Sequence, residues 1–188
     1  EVSPDIKYDI LNDIKKYVQF PFLSTFDGKR DRLYYVDIEN DGCKWYVNDR
    51  KHNKDSRLTQ IGSLKNIIDE QIVCFTTIDT KEKLEELSLI LNEKYAGMIE
   101  VHFIENDYSP GWYWLTIHDV KATKDQAIKE LVKITGHKMD DLIVFGDNAN
   151  DIKMFKKASK AIAVKNAKGE LKKYADEVIG LNIEDSVV

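Results

Sequence analysis

Ile6, Ile10, Leu11, Ile14 and Val18 recur with the spacing of one helical face. They stand behind Ser3-Pro4, a serine cap followed by proline at the first helical position, so an amphipathic helix is predicted to about Val18. After Pro21 the pattern changes. The segments Arg32 to Ile38 and Cys43 to Val47 are rich in Tyr, Trp and Val and flank Glu39-Asn40-Asp41-Gly42, which predicts a β-hairpin, with a polar loop from Asn48 to Asp55 behind it. Gln71 to Ile78 reads as a strand, Lys81 to Glu93 as a helix carrying Leu84, Leu87, Leu89, Ile90 and Leu91, and Met98 to Ile104 as a strand. Trp112 to His118 closes this first α/β unit.

From Thr123 the rhythm becomes regular. Lys124 to Thr135 is predicted helical, Leu142 to Phe145 a strand, Ala149 to Ala158 helical, Ala161 to Val164 a strand, Lys168 to Tyr174 helical and Val178-Ile179 a strand. Such alternation predicts an α/β fold with a parallel, doubly wound sheet, and places a domain boundary between about Asp119 and Ala122.

Composition narrows the function classes. The 188 residues are 43% hydrophobic, enough for a buried core, and 33 acids mix with 28 bases to a net charge of -5. There is no basic stripe or polybasic tail, so neither nucleic acid nor an anionic membrane is the expected partner. No apolar run approaches the roughly 20 residues that span a bilayer and no signal-peptide pattern is visible, so the expected location is the cytoplasm. Cys43 and Cys74 are isolated in apolar surroundings and read as reduced core thiols.

Candidate chemistry gathers at Leu142-Ile143-Val144-Phe145-Gly146-Asp147-Asn148-Ala149-Asn150-Asp151-Ile152. An apolar run breaks at glycine and a new helical period opens six residues later, at Ile152: strand, tight turn, helix. Ligands of parallel sheets bind beyond such strand ends, where a helix also offers free N–H groups to anions. Asp147 and Asp151 stand four residues apart and can turn towards one hard cation, with Asn150 between them, an arrangement suited to Mg²⁺ plus phosphate. The plainer reading is that Asp147 or Asn148 caps the helix while Asp151 offsets its dipole.

This segment resembles the fourth motif of the haloacid dehalogenase (HAD) superfamily, in the Gly-Asp-x-x-Asn-Asp form of its Cof-type sugar phosphatases. Val120-Lys121-Ala122-Thr123-Lys124-Asp125-Gln126-Ala127-Ile128 resembles the third motif, in which a lysine opens the helix after the cap domain. Ala161 to Ala167, Tyr174 to Val178 and Asn182 to Val187 look like the usual close of such a chain. The resemblance implies an α/β cap at 1–119 followed by the C-terminal part of a Rossmann-like core at 120–188. It also implies Mg²⁺-dependent hydrolysis of a small phosphorylated metabolite, a sugar phosphate by family, through an aspartyl-phosphate. Lys124 would neutralise phosphate charge, Asp147 would bind Mg²⁺, Asp151 would hold it directly or through water, and Asn150 would orient phosphate or Asp151.

The family's nucleophile motif, Asp-x-Asp-Gly-Thr, is missing, and no Asp-x-Asp occurs anywhere in the sequence. Ser24-Thr25-Phe26-Asp27-Gly28-Lys29 resembles it superficially, but Thr25 stands where the attacking aspartate belongs, so the segment reads as an Asp-Gly turn. Thr76-Thr77 reads as ordinary strand, Thr135-Gly136-His137 as a helix stop, the four histidines as surface or strand residues, and Trp112, Tyr113 and Trp114 as packing. The expectation is therefore a phosphatase lacking its N-terminal segment, which by itself does not turn over. The bare edge of the 142–146 strand should be covered by that segment, by another copy, or through local rearrangement. A non-catalytic binding or regulatory module is the alternative, and a receiver-type phosphoacceptor a third, disfavoured by the position of the acids.

Overall fold

The computed structural model describes residues 1–65 and 67–187, and the chain divides into two compact units, Glu1–Val120 and Lys121–Val188. The first contains α1 (Lys7–Ile14), β1 (Phe22–Phe26), β2 (Asp31–Tyr35), α2 (Asp41–His52), β3 (Leu58–Gln60), β4 (Gln71–Asp79), α3 (Lys81–Lys94), β5 (Ile99–Glu105) and β6 (Tyr113–Asp119). Its six strands lie in the order β3-β2-β1-β4-β6-β5, with β2 and β3 parallel and the other neighbours antiparallel.

Both sheet faces are used. Period-two alternation sends Leu23, Tyr34, Leu115 and Ile117 into one core with Ile10 and Ile14 of α1 and Leu84, Leu87 and Leu91 of α3. Their strand neighbours Phe22, Leu33 and Tyr35 join Cys43, Tyr46 and Val47 of α2 in a second core. Trp114 meets Trp45 and Tyr46 edge-on at 5.9 and 6.1 Å, and Trp112 lies over Gly42, where a Cβ would come within 2.7 Å of its ring. These aromatics are packing, as their alternation predicts. Cys43 and Cys74 are buried and free, and burial above all pushes their thiols up to about 12 and about 11.

The predicted hairpin across Glu39 to Gly42 is not there. Asn40 instead caps α2: its Oδ1 accepts the Cys43 N–H at 2.8 Å while its Nδ2 donates to the Ile78 carbonyl at 2.9 Å. Cys43, Tyr46 and Val47, spaced for one helical face, bury that face, and the polar residues 48–52 continue the helix rather than forming a loop. The hairpin lies earlier, between β1 and β2. Its turn uses Asp27-Gly28, with Asp27 Oδ1 accepting the N–H groups of Lys29 and Arg30 at 2.8 Å and Gly28 at φ +88°. The first helix is also shorter than its periodicity predicts, although Val18 beyond it stays buried.

The second unit contains α4 (Lys124–Thr135), β7 (Ile143–Gly146), α5 (Ile152–Phe155), β8 (Lys160–Ala163), α6 (Gly169–Lys172) and β9 (Glu177–Val178). Its sheet, β7-β8-β9, is wholly parallel, and Val144, Met154, Phe155, Ala161, Ala163, Val164 and Leu171 form its core. The α4 helix stops at Gly136 with φ +71°, the left-handed cap read from sequence. β7 pairs in regular register with β8 and with no other strand among the described residues, so local rearrangement does not cover its edge. Within its own unit no described strand lies along the outer edge of β7. Ile143 and Phe145 are 54% and 40% exposed, and of the α4 residues only Asp125 is buried. Among the described residues, no helix is long and apolar enough to cross a membrane.

Candidate active site

The site grows from the end of β7. Gly146 has no room for a side chain: a Cβ there would lie 2.7 Å from Asp151 Oδ2 and 2.8 Å from the Phe155 ring. The Asp151 carboxylate folds back into that space. Its Oδ2 accepts the N–H groups of Asp147 and Asn148 at 3.1 and 3.3 Å, and its Oδ1 accepts the Lys124 ammonium at 2.5 Å. Asn148 opens the 3-10 turn Ala149–Asp151, its Oδ1 accepting the Ala149 N–H at 2.7 Å, and the Asp147 carbonyl accepts the Lys168 N–H at 2.8 Å. The turn is held from both sides.

The burial of these groups decides what each can do. The Asp151 side chain is 2% exposed and that of Lys124 51%. A buried carboxylate is tolerated when charge and hydrogen bonds meet it, and here an ammonium and two amides do so. Asp147 and Asn150 are both exposed. Thus the structure joins Lys124 to Asp151 across 27 positions of sequence and leaves Asp147 exposed beside them in the same turn. Among the described residues, no three His, Cys, Asp or Glu side chains gather closely enough to form a metal-binding group.

A second ion pair runs alongside and was not legible in the sequence. Asp125, next to Lys124 and 4% exposed, accepts from the Lys157 ammonium and from Thr123 Oγ1, the latter at 2.6 Å. Burial raises its carboxyl, but the bonds from Lys157 and Thr123 outweigh burial and hold it below the ordinary range. An acid in a first helical turn normally signals a dipole partner, and one lysine among 28 basic residues signals nothing, so neither residue stood out.

Known proteins supply the comparison. A putative phosphatase of Haemophilus influenzae is 25% identical over 179 residues, which is 95% of this chain and 63% of that protein. The pyridoxal phosphate phosphatase YbhA of Escherichia coli is 34% identical over 79 residues, 40% of this chain and 29% of that protein. Among solved structures, TM0651 from Thermotoga maritima superposes with a TM-score of 0.72 at 25% identity, covering 100% of this chain and 65% of that one. The HAD subclass IIB sugar phosphatase BT4131 does so at 0.69 and 22% identity, covering 97% and 63%. The chain thus spans less than two thirds of the length of each. The family model for haloacid dehalogenase-like hydrolases matches residues 2–188, and the chain belongs to that family.

Proposed function

We propose that this chain carries the lysine and metal side of a Mg²⁺-dependent phosphomonoester hydrolase of the cytoplasm, acting on a small phosphorylated metabolite, a sugar phosphate by preference. The observation that carries this reading is the 2.5 Å Lys124–Asp151 pair set at the carboxyl end of β7, with exposed Asp147 in the same turn. On this reading 1–119 is the cap and 120–188 the C-terminal part of the catalytic core. The residues suit Mg²⁺, which is commonly held by one or two carboxylates with phosphate and water completing the shell. Asp147 offers the exposed hard oxygen. Asp151, already bound to Lys124 and two amides, meets the ion through water or through a remaining lone pair. When bound, Mg²⁺ would offset the charge on the phosphate oxygens.

The chain's own residues do the rest of this half. Lys124, anchored at Asp151 yet half exposed, presents a positive charge that screens the repulsion between an attacking carboxylate and a phosphate dianion. Asn150 offers an amide donor to a phosphate oxygen. The attacking aspartate, which would form the aspartyl-phosphate, is proposed to lie outside these 188 residues, in a segment that also covers the β7 edge. The lack of any Asp-x-Asp in the sequence supports this. The same lack of Asp-x-Asp favours a second reading, a non-catalytic binding module.

Mn²⁺ relaxation and a p-nitrophenyl phosphate assay test the proposal together. Weak metal binding that falls in Asp147→Asn, without turnover, is the expected result. Equal binding by both proteins would remove the metal assignment, and a Mg²⁺-dependent rate abolished by changing an aspartate already present would mean that the nucleophile lies within the chain. Turnover that appears when a polypeptide carrying Asp-x-Asp-Gly-Thr is added separates the hydrolase from the binding module.

A further inference from the structure

We propose that Asp125 and Lys157 are positioning residues, a clamp that fixes the first turn of α4 and keeps the Lys124 ammonium on Asp151. The proposal rests on the role given above to Lys124. The first observation is that the apolar anchorage of α4 within its unit rests on the half-buried Ile128, which packs against the core. Among its described residues only Asp125 is buried, whereas Leu131 and Ile134 are 57% and 81% exposed. What holds its start is ionic: Lys124 to Asp151 just before α5, and Asp125 to Lys157 just after it. Two pairs on either side of one short helix fix a direction as well as a distance.

The second observation concerns competition. Asp125 is the immediate chain neighbour of Lys124, and its side chain is 3% exposed. A buried carboxylate without a cation is costly and would draw in a neighbouring ammonium, that of Lys124 beside it in sequence or of Lys153, whose charge already acts on it. Lys157 and the Thr123 hydroxyl occupy it instead, which leaves Lys124 to Asp151 and to whatever anion arrives at the strand end. Lys157 therefore acts on Lys124 without touching it.

Limited acetylation, with each lysine read by mass spectrometry, tests the clamp on the chain as it stands. Lys157→Met keeps the aliphatic stem and removes the charge, so Lys124 should move towards Asp125. Its labelling rate should then change by about two- to fivefold relative to distant lysines, the range expected for a half-exposed ion pair. The Asp125→Asn/Lys157→Met double variant, which removes both charges, should return Lys124 to its original rate. Circular dichroism establishes that each variant is folded, and Lys157→Gln, which also removes the charge, serves if Lys157→Met is not. Unchanged Lys124 labelling in a folded Lys157→Met or Lys157→Gln protein would overturn the clamp, whatever the loss in stability. Protection of Lys124 by inorganic phosphate with Mg²⁺ is read in the same experiment. Failure of that protection with an intact clamp effect would sink the proposed function and leave the positioning role standing.

Discussion

The two units bury their apolar residues to different degrees. Glu1–Val120 covers both faces of its six-stranded sheet with its own helices, and exposes seven large apolar side chains among its 119 described residues. Lys121–Val188 exposes eight among its 67 described residues, among them Ile143 and Phe145 on an outer strand and Leu131 and Ile134 on α4. A soluble domain usually hides such groups, and parallel strands usually have both faces covered. The difference teaches that the first unit buries most of its hydrophobic pattern, whereas the second leaves a larger share of its apolar side chains exposed for its size.

The largest blow to the comparison falls on the first unit. Phe75 is fully buried in the main core, so Phe75→Ala should cost about 3–5 kcal/mol. Trp45, Trp112 and Trp114 all lie in that unit, which makes tryptophan emission during urea unfolding a report on it alone. A lower emission midpoint with native amide shifts retained in the second unit is expected. Loss of both together would mean that the second unit cannot stand without the first.

The converse change is Gly146→Ala. A Cβ at that position must displace the Asp151 carboxylate and the Phe155 ring, at about 1–3 kcal/mol. Faster hydrogen exchange at the Asp147 and Asn148 amides, with the tryptophan midpoint unmoved, would place the damage where the geometry puts it.

Acid sharpens the contrast further. Burial alone would raise the Asp13 carboxyl, but hydrogen bonds from Lys16, Lys94 and Tyr95 outweigh burial and hold it at about 2, below its ordinary 3.8. Asp55 is held at about 2 chiefly by its hydrogen bonds with Arg57. A depressed carboxyl stabilises the fold above its unfolded pKa, and that contribution is lost as pH falls through the folded one. Tryptophan-monitored stability should therefore decline between about pH 4 and pH 2. Asp13→Asn should flatten part of that slope, on the order of 1 kcal/mol because its lysine partners are largely exposed, with Asp55 among the carboxyls that carry the remainder.

The smallest effect is expected where the second unit is barest. Ile134→Lys on α4 should move the stability of this chain by no more than about 0.5 kcal/mol, since the residue is already 81% exposed. A larger loss in thermal or urea unfolding would show that the face is covered after all.

Much of this was written in local pattern. The helix from Lys81, the strands at Gln71 and Leu142, the left-handed Gly136 and the strand–turn–helix at Gly146 follow from spacing that any short window reveals. Cys43 to Val47 misled because Trp, Tyr and Val favour strands, while Asn40 before Asp41-Gly42 can begin a hairpin turn or cap a helix. Ile78, 38 residues downstream, supplies the carbonyl that Asn40 needs. The turn that holds the candidate site was legible for the same local reason. The partner of Asp151 was not visible as a contact, and the Asp125–Lys157 pair was invisible, because nothing along a chain announces which of many lysines will meet a given acid. The pairing of His102 with His118, rings 5.8 Å apart across β5 and β6, was hidden likewise in strand register.

Cys43 and Cys74 both lie in the first unit, one in the α2 layer and one on β4 in the sheet interior. With thiols at about 12 and about 11, almost no thiolate exists at neutral pH, and the thiolate is the species an alkylating reagent consumes. Each sulfur therefore keeps time: its alkylation rate at neutral pH measures how often its own layer opens. Helix and sheet can be clocked separately in an unlabelled protein, and the second unit, which has no cysteine, adds nothing to either signal.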